Sequence, residues 1–204
     1  MSNEKYTKKQ INIMEAAIRR IDNLGIQELT IKNLSADLGF SEAALYRHFK
    51  SKNEIMMGLL DYFMLEMKTR VAEIAPETTR NPSDLLKEIF KSRLKIFAQK
   101  PAIVSVIFSE GIFQFNKELR EKVSGMMQMM QAEIESIVNR AQADGIFRDF
   151  AGPSTITTII MGSMRMAVLE WRLLEHKSDL IKEGMAVLNG VLKMMEKESD
   201  VVNV

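Results

Sequence analysis

The sequence predicts an all-α protein in which an N-terminal three-helix unit containing a helix-turn-helix is joined by a long helix to a larger helical domain. Apolar residues recur at helical spacing, Ser, Thr or Pro begins most of the periodic segments and Gly ends several of them, and no alternating run is bounded by hairpin turn signals. A chain of 204 residues can hold a small domain followed by a larger one. We place the boundary so that residues 1–51 form the helix-turn-helix domain and residues 52–204 form the larger domain.

The helix-turn-helix is predicted from the segment that begins at Thr30. Thr30 can cap a short helix that Gly39 ends, because glycine tolerates the left-handed backbone of a tight turn. Ser41 can cap the next helix, which carries Leu45 and Phe49 on its inward side. The side chains expected to face outward are Glu42, Ala43, Ala44, Tyr46, Arg47 and His48.

Helix start and stop signals in the rest of the sequence predict a first helix and six later ones. Thr7 and Gln10 have the spacing of a capping box, and Gly25 closes the helix that follows. A second capping box at Ser51 and Glu54 begins the long connecting helix. The expected later ranges are 52–74 with a stop near Pro76, 82–99, 101 to about 110, 116–143, 153 to about 175, and 178 to about 197.

Composition excludes several classes of chemistry. The chain has no Cys and two His, which removes disulfides, thiolate metal sites and a Cys nucleophile, and we expect neither a metal nor a cofactor. Its carboxylates show no paired spacing suited to acid-base catalysis, so an enzyme is not expected. No apolar run reaches bilayer-spanning length and no secretory signal is recognisable, so a cytoplasmic location without membrane attachment is expected.

The outward residues of the helix-turn-helix suit a helix pressed into the major groove of double-stranded DNA. Tyr46 and His48 can reach phosphates on either side of the groove, while Thr30 and Lys52 lie at helix N-termini that favour anions. The net charge is only +1, and the first 56 residues hold nine Lys or Arg against seven Asp or Glu. Any DNA binding must therefore depend on where the charges lie.

Base contacts are expected from the same helix. The Arg47 guanidinium suits the two major-groove acceptors of guanine, and Ala43 or Ala44 can touch a thymine methyl group. Glu42 can accept from cytosine, or it can simply stabilise the helix N-terminus. The alternative for the whole segment is an ordinary helical hairpin with a partly buried Tyr46 and a surface His48.

The second notable feature is methionine, of which there are 16. Met adapts to irregular apolar surroundings, so it suits either a pocket for a hydrophobic small molecule or a Met-rich core. Arg165 can pair with a ligand carboxylate, with Glu170, or with a partner subunit. The candidate ligand-binding residues are Phe63, Met67, Phe90, Phe97, Phe108, Met126, Met130, Met164, Arg165 and Trp171.

The segment LGFSEAALYRHFKSKNEI at residues 38–55 resembles the TetR family of bacterial transcriptional regulators, and the resemblance extends from Lys8 to about Leu60. It implies that the N-terminal unit binds DNA and that Thr30, Tyr46, His48 and Lys52 contact the phosphate backbone of the DNA. The positions expected near bases are Ser41, Glu42, Ala43, Ala44 and Arg47.

For the whole protein, the resemblance implies a homodimeric repressor that binds a palindromic operator and is released by a hydrophobic small molecule. The recognition segment also looks like that of a nucleoid-occlusion protein of the same family, a structural DNA-binding role with a protein partner. The last two helices carry more apolar surface than one intramolecular contact needs, with Gly162, Ser163, Gly184 and Gly190 allowing close approach. Packing within one chain is the alternative to a dimer there.

Overall fold

The computed structural model describes residues 5–74, 81–108 and 116–197, and within them the secondary structure is helical. The helices are α1 (Lys8–Leu24), α2 (Ile31–Leu38), α3 (Glu42–Tyr46), α4 (Lys52–Ile74), α5 (Pro82–Gln99), α6 (Pro101–Ile107), α7 (Lys117–Ala143), α8 (Pro153–Leu173) and α9 (Leu180–Met195). A short 3-10 helix, Ile26–Glu28, lies between α1 and α2. The all-α fold class is confirmed, and the expected stops near Pro76 and Glu110 lie outside the described residues.

The last two helices differ slightly from the expected ranges. Helix α8 ends at Leu173, because Glu175 and His176 take positive φ angles of 53° and 63° and leave the helical path. Helix α9 begins at Leu180, and its cap is Asp179 rather than Ser178. The Asp179 carboxylate accepts from the backbone N–H groups of residues 181 and 182, at 3.1 and 3.0 Å.

The chain forms two compact units, which are described separately. The first unit contains residues 1–67 and 99–126, and the second contains residues 68–98 and 127–204. Helices α4 and α7 each contribute to both units. The domain boundary expected after residue 51 stays a prediction.

The first unit has a core built by the helices of the N-terminal segment. Ile13, Ala17 and Leu34 are fully buried, and α1 packs on α2 while α6 packs on α1 and on the 3-10 helix. The Arg20 guanidinium donates to both carboxylate oxygens of Asp37, at 2.6 and 3.0 Å, and so ties α1 to α2. Such a bidentate pair fixes orientation as well as distance.

The second unit buries the inward faces of α5, α8 and α9 and of the later part of α7. Helices α8 and α9 pack on each other, and Leu188 of α9 is fully buried. Gly184 lies against α5, since an added Cβ would come within 2.6 Å of the Leu94 Cδ1 atom. The expectation that Gly184 faces a second subunit is therefore wrong, because its own chain occupies the space.

We predict opposite effects of alanine at two exposed glycines. Gly39 has φ +66°, so Gly39→Ala should lower the free energy of unfolding by about 1–2 kcal/mol because L-residues are strained there. Gly125 lies within α7 with nothing within 4 Å of an added Cβ, so Gly125→Ala should raise it by about 0.5–1 kcal/mol. Urea unfolding of both variants measures the two effects, and equal shifts would contradict this account.

Candidate nucleic-acid interface

Helices α2 and α3 begin at the caps that the sequence predicts. The Thr30 hydroxyl oxygen accepts from the Asn33 N–H at 3.0 Å, and the Ser41 hydroxyl oxygen accepts from the Ala44 N–H at 3.2 Å. Gly39 takes the left-handed conformation between them. Each capping hydroxyl keeps its own hydrogen, which can be donated to a phosphate.

Helix α3 and the turn that follows it separate an apolar inward side from a mixed outward side. The helix ends at Tyr46, so Arg47, His48 and Phe49 lie beyond it rather than within it as the sequence predicts. Leu45 and Phe49 are fully buried. The Nε2 amide of Gln10 donates to the His48 carbonyl at 3.1 Å and anchors the end of the segment to α1. Of the outward residues, Ser41, Glu42, Ala43, Tyr46 and Arg47 are exposed, whereas Ala44 and His48 are half-buried.

A shallow hollow of about 330 Å³ lies beside this helix. It is lined by Ala44, Arg47 and His48 together with Lys9 of α1 and Phe40 of the turn. Lys9 adds a cation, and the partly exposed Phe40 ring adds an apolar surface that suits a thymine methyl group or a sugar. Phe40 was not among the predicted site residues, although its place directly before the Ser41 cap is a usable signal.

Lys5 has a different environment from Lys9. Its ammonium donates to Asp61 at 2.5 Å, and the Tyr6 hydroxyl donates to the same carboxylate oxygen at 2.9 Å. Lys122 of α7 pairs with the other carboxylate oxygen. Burial alone would raise the pKa of Asp61, but the hydrogen bonds from Lys122, Lys5 and Tyr6 outweigh it and lower that pKa. The cluster fixes the segment before α1 to α4 and α7.

Lys52 lies in the first turn of α4 and turns toward its own chain. Its ammonium donates to the Ile26 carbonyl at 3.2 Å, and burial lowers its pKa. Next to it, the Ser51 hydroxyl accepts from the Glu54 N–H at 3.2 Å, while the Glu54 carboxylate accepts from the Lys50 N–H instead of the Ser51 N–H of a capping box. The phosphate contact expected for Lys52 stays a prediction.

The candidate ligand-binding residues are distributed over both compact units. In the first unit Phe63, Met67 and Met126 are buried and Phe108 is half-buried; in the second, Phe90, Phe97, Met164 and Trp171 are buried and Met130 is half-buried. Arg165 is exposed, so its side chain does not lie in the core of its own unit. Arg93 is a basic side chain that does lie in that core, since it is 1% exposed, and the sequence pattern did not single it out.

Two family models cover most of the chain. Residues 13–57 match the model for bacterial regulatory proteins of the tetR family, and residues 59–194 match the model for the C-terminal region of YsiA-like proteins. The chain belongs to the TetR family. It is a DNA-binding transcriptional regulator, the function that the resemblance to the family implies. The tetR family model describes regulatory proteins, not enzymes.

Relatives and solved structures agree with the TetR-family assignment. A nucleoid occlusion factor SlmA of Shewanella sediminis is 28% identical over 77% of each chain. The regulator FadR of Bacillus subtilis in complex with stearoyl-CoA has a TM-score of 0.75 at 18% identity, covering 89% of this chain and 97% of that one. A regulator of Saccharomonospora viridis in complex with choline has a TM-score of 0.80 at 19% identity, covering 94% and 99%.

Two kinds of feature are absent from the described ranges. None of their helices is long and apolar enough to cross a membrane. No group of three or more His, Asp or Glu side chains there is arranged to hold a metal ion.

We predict that Arg47→Ala relaxes the preference for one operator base pair by about 1–3 kcal/mol, because a bidentate guanine contact is lost. Lys9→Ala is the matched control, since a phosphate contact carries no base information. It should weaken binding to all sequences alike and reduce the slope of log affinity against log salt by about one. Fluorescence anisotropy on an operator series measures both, and unaltered base preference in Arg47→Ala would exclude the assigned docking face.

We predict two separable effects of Lys52→Met, which keeps the apolar stem and removes the ammonium. Loss of the Ile26 hydrogen bond should lower the free energy of unfolding by about 1 kcal/mol. The Lys52 ammonium has three N–H donors and uses one on Ile26, so another can bind a phosphate. Loss of that phosphate contact should reduce the slope of log affinity against log salt by about one. Lower stability with an unchanged slope would limit Lys52 to a structural role.

Proposed function

We propose that the protein is a homodimeric repressor that binds a palindromic operator with two copies of α3 and is released by a hydrophobic small molecule. The observation that carries the proposal is an exposed apolar stripe along α8 and α9. A two-fold dimer built on that stripe would supply two recognition helices for two half-sites.

On α8 the stripe has the spacing of a coiled-coil seam. Ile159, Met166, Leu169 and Leu173 are 43%, 52%, 45% and 74% exposed, and Gly162 lies among them with open space around it. Successive positions differ by three, four, three and four residues, so they share one helical face. Isolated exposed apolar residues need no explanation, but a continuous stripe indicates an interface.

Helix α9 repeats the pattern over its last turns. Val187 and Met194 are 43% and 61% exposed, and Gly190 between them has nothing within 4 Å of an added Cβ. Other apolar residues of the same two helices, Ile156, Ile160, Leu188 and Leu192, are buried in their own chain. The stripe formed by Ile159, Gly162, Met166, Leu169, Leu173, Val187, Gly190 and Met194 is hereafter called the α8–α9 seam.

A hydrophobic effector is supported by the many buried Met and Phe side chains and by the stearoyl-CoA complex of FadR, a protein of similar fold. In the proposed mechanism the effector favours a conformation in which α4 shifts. The two recognition helices then no longer match half-sites one DNA turn apart, about 34 Å, and affinity falls.

The second candidate function is a structural DNA-binding role of the nucleoid-occlusion type. It is favoured by the match to the SlmA protein of Shewanella sediminis over about three quarters of both chains. In this role the protein would occupy many dispersed sites and recruit a protein partner. Both candidates use the same DNA-binding unit, so DNA binding alone does not distinguish them. The distribution of binding sites along the chromosome does.

We predict that Met166→Glu converts the dimer to monomer, because a charge in the seam would lose its hydration on association. Operator affinity should fall on the order of 10²-fold, since the second half-site no longer binds as part of the same molecule. Met129→Glu is the matched control, because Met129 of α7 is equally apolar, 43% exposed and outside the seam. Light scattering after size exclusion and gel shift provide the readouts; a dimeric Met166→Glu protein would exclude the seam as the interface.

We predict one or a few palindromic sites at promoters in genome-wide binding, and loss of gel shift when a compound that stabilises the protein thermally is added. Lipophilic acids and aromatic compounds form the screening set. Dispersed sites across the chromosome would favour the nucleoid-occlusion role. Thermal stabilisation without DNA release would exclude the proposed induction.

A further inference from the structure

The buried side-chain polar atoms that lack hydrogen-bond partners among the described residues all lie in the second compact unit. They are Nε and Nη1 of Arg93, Nη2 of Arg140 and the hydroxyl oxygen of Thr157. Buried polar groups are nearly always hydrogen-bonded in native proteins, so each exception requires a physical reason. Arg93 is the largest exception, because two of its three guanidinium nitrogens are unpartnered.

Arg93 lies on the apolar face of α5. Phe90 and Phe97 are three residues before and four residues after it, so the three side chains share one face of the helix, and both aromatic residues are 2% exposed. Arg93 itself is 1% exposed and ranks among the largest fully buried side chains. An arginine stem normally reaches toward water from such a position, and this one does not.

Glu133 of α7 neutralises only part of the guanidinium. Its carboxylate pairs with Nη2 of Arg93, while its own side chain remains 26% exposed. Burial lowers the pKa of Arg93 despite the attraction of Glu133, and burial raises the pKa of Glu133 despite the attraction of Arg93. Desolvation therefore opposes the charged form of both partners. Three N–H hydrogens on Nε and Nη1 still lack an acceptor from the described residues.

This arrangement is a poor way to stabilise a helical core. Buried ion pairs are often replaced by apolar residues without loss of stability or with a gain. A second acceptor with negative charge would give the remaining N–H groups of Arg93 a partner. Such a contact would be strong, because charge-assisted hydrogen bonds to guanidinium are among the strongest in proteins. The aromatic residues on either side of Arg93 favour an acceptor attached to an apolar body.

We propose that Arg93 binds the carboxylate of an apolar organic acid through its unpartnered N–H groups, with Glu133 holding the guanidinium in place. The inference rests on the proposed function in taking the effector to be a hydrophobic small molecule. It specifies in addition that this molecule carries a carboxylate at one end. Arg93 thereby replaces the exposed Arg165 as the residue that pairs with the ligand.

The test compares dodecanoate with dodecanol, which have the same chain and differ in the charged headgroup. Binding is followed by isothermal titration calorimetry and by the fluorescence of Trp171, the single tryptophan, which is buried in the same unit. The wild-type protein should bind dodecanoate about 10-fold or more tightly than dodecanol, the difference expected for a charge-assisted contact.

The variant Arg93→Met with Glu133→Gln removes the ion pair without leaving either partner unpaired. It should keep or raise the melting temperature of the ligand-free protein and bind dodecanoate no better than dodecanol. Arg165→Met is the matched control, an exposed arginine of the same unit, and should keep the full preference for the acid. Arg93→Lys keeps the charge without the guanidinium fork, and a lost preference there supports the proposal even if the double variant fails to fold.

The outcomes separate this inference from the proposed function. Equal binding of acid and alcohol by the wild type, or binding of neither, overturns the Arg93 site. Binding of dodecanoyl-coenzyme A without binding of dodecanoate also overturns it, since a thioester lacks the carboxylate. Preferential binding of dodecanoate that depends on Arg93 supports the site, and gel shift on the same samples then decides separately whether the acid releases the operator.

Discussion

A helix of five residues cannot hold its own shape, and α3, which together with Arg47 and His48 carries the outward residues of the helix-turn-helix, is that short. Its conformation depends on burial of Leu45 and Phe49 and on Gln10, whose side chain completes the α1 capping box and also donates to the His48 carbonyl. An added Cβ at Gly58 of α4 would come within 2.9 Å of the Met14 sulfur and 3.5 Å of Phe49. Helices α1 and α4 thus form the rigid support on which α3 is presented.

The Asp61 carboxylate of α4 joins its own helix to two other parts of the first unit. It receives Lys5 and Tyr6 from the segment before α1 and Lys122 from α7. Partial burial makes these hydrogen bonds stronger than the same contacts at a solvated surface. A displacement of α4 or of the first turns of α7 would strain this cluster first. The cluster therefore provides a direct physical connection between the later helices of the first unit and the segment that begins α1.

Local signals explain what the sequence predicted well, and long-range contacts explain what it missed. Caps at Thr30 and Ser41 and the turn at Gly39 depend on residues within three positions, so a single sequence contains them. The contact of Lys52 with Ile26 spans 26 positions, and the contact of Gly184 with Leu94 spans 90, so neither is visible in a local pattern. Arg93 was within reach of sequence reasoning, because it interrupts the apolar face between Phe90 and Phe97.

The two units differ in whether their buried polar side chains are fully hydrogen-bonded, and the proposed Arg93 site would give this difference a functional meaning. Within the described residues of the first unit no buried polar side-chain atom lacks a partner, as suits a scaffold that must present α3 in one geometry. The second unit retains a buried guanidinium that Glu133 only partly satisfies. Such a group reduces the stability of the unliganded state, and local violations of packing rules in natural proteins tend to occur at functional sites. A ligand that completes the hydrogen bonds of Arg93 would change the relative stability of conformations in that unit, which is the energetic requirement for a regulatory response.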